Sequence, residues 1–340
     1  MNMSQTQSRE LFVRSRNAMG TVFTIYLYAQ DGEDAEVSLE AAFEEIERVE
    51  EALSNYRASS ELSRINRLAA QQEVTTDPEV FALLEAALAH GRRSDGAFDI
   101  TVGPLMRAWG FFRGDGRYPT SEELRRAAEI VGQDKVQLEA ATRTVRFIVP
   151  GVELDPGAIG KGYAVDRAVK ILTEAGIEAA LVNAGSSTLY AMNSPPGKNG
   201  WTVRVRNPKD RPQTVATVTL RNESLSTSGV YEKFFQLGGR RYCHVMDPRT
   251  GMPVQGVLQT TLIASDSTTT DALSNAMFVM GPQAGMKMLA TLPHARGLWL
   301  LGETGPQQLV QWRWQSCASD SNLASQESDD RRTKENFSDE

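Results

Sequence analysis

The sequence predicts an α+β fold, with mixed and largely antiparallel sheets packed by helices. Three observations carry this prediction. Apolar residues recur at helical spacing in several long segments. Short β-branched and aromatic runs alternate as antiparallel strands do. The two kinds of segment are interleaved without the regular strand–helix–strand repetition of a doubly wound sheet. The composition, 41% hydrophobic and 23% charged over 340 residues, is that of a globular chain with room for one large domain or two small ones.

In order along the chain, residues 1–10 are polar and are expected to be disordered. Thr21–Tyr28 (TVFTIYLY) is a strand. Asp34–Tyr56 is a long helix with Ala41, Phe43, Ile46, Val49 and Leu53 on one face and acids on the other. Ser60–Asn66 is a short capped turn of helix. Pro78–Arg93 is a second amphipathic helix, and its His90 reads as a packing or surface histidine rather than a ligand. Gly96–Phe111 (GAFDITVGPLMRAWGF) mixes glycine, proline, one acid and aromatics without a regular period, so it reads as a structured loop. Ser121–Val131 is a helix and Val136–Val149 a hairpin.

An apolar run from Thr144 to Leu154 then leads into Asp155, a glycine-spaced turn and a helix over Lys161–Glu174. Strand, glycine turn and helix start together favour an anion, because backbone N–H groups at a helix start lack partners and small residues let a ligand approach. Asp155 at such a strand end suits a hydroxyl, a ring N–H or a metal. The turn is neither a Walker A loop nor a GxGxxG, and an ordinary strand-to-helix turn has the same pattern.

Ala179–Ala184 is a strand ending in a polar turn, and Thr202–Arg206 with Thr214–Leu220 alternate as antiparallel strands. Leu225–Phe235 (LSTSGVYEKFF) joins a hydroxyl cluster to aromatics. His244 stands at a strand end beside the Asp-Pro turn of Arg241–Pro253, where it reads either as a structural histidine or as a base. Gln259–Ala264 is a strand. A helix opens near Thr270, with Asp271 in its first turn, where a carboxylate suits either the helix dipole or a metal. Leu298–Leu301 and Gln308–Trp314 form a terminal hairpin. From 316 to 340 the chain is polar, acidic and expected to be disordered, which leaves 11–315 as the folded domain.

A net charge of −7 disfavours a general nucleic-acid surface while allowing a local basic pocket. The two cysteines, Cys243 and Cys317, have no zinc-ligand spacing, so any metal is expected on oxygen ligands. No stretch is long and apolar enough to span a membrane, and the polar N-terminus does not read as a signal peptide, so a cytoplasmic location is the expectation.

Eight separated motifs now stand in one order: "AMGTVFTI", "LSNYRASSELSRIN", "GAFDITVGPLMRAWGF", "ELDPGAIGKGYAVD", "VNAGS", "LSTSG", "YCHVMDPRTGMP" and "TDALSNAMFVMG". In these the chain resembles the ApbE family of FAD:protein FMN transferases, over roughly Met19 to Gly281. The resemblance implies an FAD cleft between the parts of the α+β fold. The implied reaction is Mg2+-dependent transfer of FMN from FAD to a threonine or serine hydroxyl of a protein partner, releasing AMP. The implied partner is an acceptor flavoprotein subunit of an electron-transfer complex, and members are often exported and membrane-anchored.

By the same resemblance Met19, Tyr56, Ala97, Phe98, Asp99, Asp155, Lys161 and Val245 would contact FAD. The metal would be held by the main-chain carbonyl of Ala158, by Asp271 and by the residues at 274 and 275, Ser274 and Asn275. His244 would take the proton of the attacking hydroxyl. The chain departs from the family pattern at "DALSN", where D-A-L-A-T is usual, and at "NAGSS", where N-A-G-G-D is common and an acid is lost at Ser187. Those departures keep in view a flavin-binding or flavin-storage protein without transfer activity; a second alternative is an FAD pyrophosphatase releasing FMN and AMP with water as the nucleophile.

Overall fold

The computed structural model describes residues 9–112, 114, 116–185, 187–210, 212–231, 233–302 and 306–314. Residues 1–8, the acidic tail from 316 and Cys317 lie outside the described residues. Eight strands build one sheet in which chain order is also spatial order. They are β1 (Glu10–Ala18), β2 (Thr21–Ala29), β3 (Ala179–Ala184), β4 (Thr188–Met192), β5 (Glu223–Gly229), β6 (Val257–Ala264), β7 (Arg296–Leu301) and β8 (Gln308–Trp312). Every neighbouring pair is antiparallel. The sheet is therefore a meander, and the helices are insertions in it, as the α+β reading expects.

The largest insertion lies between β2 and β3. It carries α1 (Gly32–Leu53), α2 (Glu61–Leu68), α3 (Pro78–Arg93), α4 (Gly103–Ala108), α5 (Ser121–Ile130) and α6 (Gly160–Glu174), with a small three-stranded sheet. A second insertion, α7 (Ser267–Leu289), separates β6 from β7. α6 packs between α1 and α7, and α7 lies on β5 and β6. The main core fills the space between sheet and helices, around Phe23, Ile25, Ile46, Val165, Ala272 and Trp299. On the opposite face the hairpin Trp201–Arg206/Thr214–Leu220 closes a second apolar layer with Leu189, Leu225, Ile263 and Leu298. β6, covered on both faces, is buried at every position.

Four expectations need correction. β1 was missed, and Glu10 belongs to it rather than to a disordered end. Its residues are mostly exposed, so it has no apolar period to read; it is held by the ladder to β2 and by Arg14 and Arg16 pairing with Glu36, Glu40 and Glu47 of α1. The apolar run from Thr144 is a strand only to Phe147, because Pro150 lacks a donor and Gly151 turns the chain at φ 93°. Asp155 consequently sits in irregular backbone, its N–H bonded to the Ile100 carbonyl at 2.7 Å. The Gly96–Phe111 loop contains the short α4. Finally, α7 starts at Ser267 with Asp266 as its N-cap, so Asp271 lies in the second turn and not the first.

Candidate functional site

The start of α7 and the start of α6 meet at one glycine. A Cβ on Gly162 would stand 2.1 Å from the Ser267 carbonyl oxygen and 2.7 Å from Asp271 Cβ, so only glycine allows the two helices this approach. The Gly162 N–H donates to Asp271 Oδ2 at 2.9 Å. The other oxygen, Oδ1, accepts from the Thr188 hydroxyl of β4 at 3.1 Å and lies 3.4 Å from the Ser226 hydroxyl of β5. Two helices and two strands thus aim one carboxylate, 6% exposed, into a cleft of about 730 Å3.

That cleft brings together nearly every residue singled out from the sequence. Met19, Tyr56, Ala97, Phe98, Asp99, Asp155, Ala158, Lys161, His244, Val245, Asp271 and Asn275 all line it. Ser274 does not. It is fully buried, its hydroxyl pairing with Ser228 at 2.9 Å and donating to the Asp271 carbonyl at 3.1 Å, while its own carbonyl accepts from Thr260. One turn beyond Asp271, Asn275 reaches the cleft and Ser274 faces the sheet.

Each wall has a local cause. Met19 and Gly20 form the two-residue turn between β1 and β2, with φ 51° and 72°, and this left-handed pair turns the Met19 side chain over Gly160. Tyr56 follows the end of α1. It stacks on Phe112 with ring centroids 5.1 Å apart and donates its hydroxyl to the Phe112 carbonyl at 3.1 Å. Arg107 covers Phe112 at 3.9 Å and is fixed by both oxygens of Glu153. The result is an open aromatic platform suited to a flat ring.

Asp99 is tied into the protein. Its carboxylate accepts from the Thr101 N–H at 2.8 Å, the Thr101 hydroxyl at 2.7 Å and the Gln133 N–H at 2.9 Å. Burial pushes its carboxyl up from the ordinary value, against those three donors. Asp155 is also pushed up by burial, opposed first by the Gly157 N–H at 2.9 Å. Val245 turns its side chain into an apolar cluster with Val230, Leu258 and Phe278, and its carbonyl accepts from the Val254 N–H at 3.0 Å.

The expectation of unpartnered N–H groups at the start of α6 is corrected for three of them. Gly160 N–H is bonded to Pro156 O at 2.7 Å, Tyr163 N–H to Ile159 O at 3.0 Å, and Gly162 N–H to Asp271. Among the described residues, the basic side chains that line the cleft are Lys161 and Lys233.

His244 directly follows the strand Arg240–Cys243 and is half-buried. Its N–H and its ring Nδ1 both meet the Lys233 carbonyl, each at 3.1 Å. A carbonyl only accepts, so Nδ1 carries the hydrogen, and Nε2 is the nitrogen that can accept a proton when the ring is neutral.

The donor set offers oxygen only: the Asp271 carboxylate, the Asn275 amide and the Ala158 main chain. Among the described residues no group of three or more His, Cys, Asp or Glu side chains could hold a metal. One carboxylate with neutral oxygens fits a hard cation that takes its remaining ligands from water and a bound phosphate.

Sequence reasoning missed Thr188 and Lys233, assigned Ser226 no role within "LSTSG", and also missed Asp166. The Asp166 carboxylate, from α6, accepts from the Ser267 N–H at 2.7 Å, the Thr268 N–H at 2.8 Å and the Thr268 hydroxyl at 2.6 Å. It seats the start of α7, and no local signal marks a partner so distant in sequence.

Comparison with known proteins gives the family and the fold. The model of the ApbE family matches residues 19–299. The FAD:protein FMN transferase of Klebsiella pneumoniae is 32% identical over 273 residues, covering 80% of this chain and 83% of that one. The crystal structure of the ApbE protein of Thermotoga maritima superposes with a TM-score of 0.80 at 34% identity, covering 88% of this chain and 96% of its own. The flavin transferase ApbE of Vibrio cholerae superposes with a TM-score of 0.80 at 27% identity, covering 90% and 98%.

Proposed function

The chain belongs to the ApbE family, and we propose that it transfers the FMN moiety of FAD to a hydroxyl of a protein acceptor, releasing AMP. The observation that carries this is the convergence of Asp271, Lys161, Lys233 and His244 on one cleft with an aromatic platform at its side. Phosphoryl transfer needs alignment and charge neutralisation more than covalent participation by the protein. Lys161 and Lys233 offset the negative charge of the pyrophosphate. Tyr56 and Phe112 hold a flat ring, and the glycine-lined turn from Gly157 lets the phosphates approach the backbone.

His244 receives the hydroxyl proton at Nε2 while Nδ1–H stays on the Lys233 carbonyl. The hydroxyl oxygen forms a bond to the FMN-side phosphorus, the bond from that phosphorus to the AMP oxygen breaks, and AMP leaves. Asp271, Asn275 and the Ala158 carbonyl would hold Mg2+, which supplies Lewis-acid neutralisation of the phosphates when bound. The acceptor we propose is a flavin-carrying subunit of an electron-transfer complex.

The test is incubation with FAD, MgCl2 and a flavin-carrier domain from the same source, followed by intact mass of the carrier. A gain of one FMN phosphoester, absent with EDTA and in Asp271→Ala, is expected. AMP and free FMN without carrier modification would make water the nucleophile and overturn the assignment. Bound FAD without AMP would leave a flavin-binding protein.

A further inference from the structure

A protein acceptor needs a surface to lie on beside His244, and the geometry points to the free edge of the hairpin Phe234–Leu237/Arg240–Cys243 as the docking strand for an acidic acceptor segment. This rests on the transfer reading above.

The hairpin register pairs Phe234 with Cys243 and Leu237 with Arg240 around the turn Gly238–Gly239, whose φ values are 59° and 76°. In such a two-residue turn the flanking pair is hydrogen-bonded, and bonded pairs then alternate. Phe235/Tyr242 is therefore a bonded pair, and the ladder runs on to the His244 N–H on the Lys233 carbonyl. The N–H and C=O of Phe234 and Gln236 consequently face the outer edge. Among the described residues nothing outside the hairpin bonds to them. The opposite edge is covered, with the Arg241 carbonyl accepting from the Gln255 amide at 3.0 Å.

The hairpin packs on an aromatic layer from below. Phe235 and Tyr242 stack at 5.1 Å, and Tyr242 lies 5.7 Å from Trp109, whose indole N–H donates to the Gly251 carbonyl at 2.9 Å. On the other face Phe234 stays 41% exposed beneath the Arg241 guanidinium; Leu237, on the Phe235 side at the tip, is 53% exposed.

Charge selects the occupant. From Glu232 to Cys243 there are three basic residues, Lys233, Arg240 and Arg241, against one acid, in a chain of net charge −7. A strand added along Phe234 and Gln236 fills main-chain bonds, which a lipid headgroup layer does not, and runs toward the histidine at the base of the hairpin. Acidic residues flanking the acceptor hydroxyl would meet the arginines.

The test separates docking from transfer. A fluorescently labelled flavin-carrier domain is titrated with the full chain, and FMN transfer and FAD affinity are measured separately. The variants are Arg240→Glu/Arg241→Glu and Gln236→Pro, the second removing one edge N–H without changing charge. Each should weaken carrier binding ~10-fold or more, the charge variant with loss of salt dependence, while FAD affinity is unchanged. Neutralising the acids that flank the acceptor hydroxyl should match the charge variant. Unchanged carrier affinity in both variants, or a wild-type chain that binds no carrier, would overturn the proposal. Loss of anionic-vesicle binding with carrier affinity intact would assign the hairpin to a membrane instead, and also overturn it. A wild-type chain that docks the carrier through this edge yet transfers no FMN would sink the transfer reading and leave the docking surface standing.

Discussion

At the scale of single residues, the site is a set of side chains whose neighbours leave them one role. His244 meets the Lys233 carbonyl through Nδ1, and Nε2 is the nitrogen that the proposed transfer uses. His244→Ala should slow transfer by ~10²-fold or more while FAD affinity, read by flavin fluorescence, stays within a few-fold. Loss of FAD binding would instead make the histidine a cofactor contact. Asn275 occupies the cleft position expected for a threonine, whereas Ser274 is bonded away from it. Asn275→Thr should tighten Mg2+ dependence, seen as a lower MgCl2 concentration for half-maximal transfer. An unchanged midpoint would take the residue out of the metal set.

At the scale of elements, the decisive contact is between α6 and α7. Asp166 takes three donors at the start of α7, and Gly162 lets Asp271 close against α6. Asp166→Ala removes all three acceptor contacts and leaves buried donors unmatched. It should cost about 1–3 kcal/mol in urea unfolding. Because α7 also carries Asp271, the same change should lower kcat more than it raises the KM for FAD, with Asp166→Asn recovering part of both. Equal stability in the Ala variant would dismiss the joint. Both helices were legible from their apolar spacing, but their meeting point was not, since the contact spans the whole of β3 to β6.

At the scale of the whole molecule, insertions of very different length hang on one antiparallel meander, and stability depends on how they pack. His90 of α3 is the clearest reporter. Burial pulls it down to about 4 from 6.5, with nearby Asp266 opposing, and its Nδ1 is buried without a partner. The unfolded chain therefore binds the proton first, and stability should fall as pH drops from 6.5 toward 4, by up to about 1.4 kcal/mol per pH unit from this group. Asp99, Asp155 and Asp166, pushed up by burial, contribute slopes of opposite sign, so the readout is a difference. His90→Gln should unfold with a shallower pH dependence than wild type across this window. Identical slopes would mean the histidine is solvated.

The sequence by itself determined the class of fold, the helices with clear apolar faces and the motifs that reach the cleft. Those are consequences of local spacing and of residue chemistry in order along the chain. Only the tertiary structure decided that β1 is a strand, that Asp271 lies in the second turn of its helix, and that Ser274 turns inward while Asn275 turns out. It also decided that Thr188, Ser226, Lys233 and Asp166 complete the site. β1 has no apolar period of its own, and the rest of the site depends largely on partners far away in sequence; local periodicity says nothing about which distant backbone will supply a hydrogen bond or leave room for one.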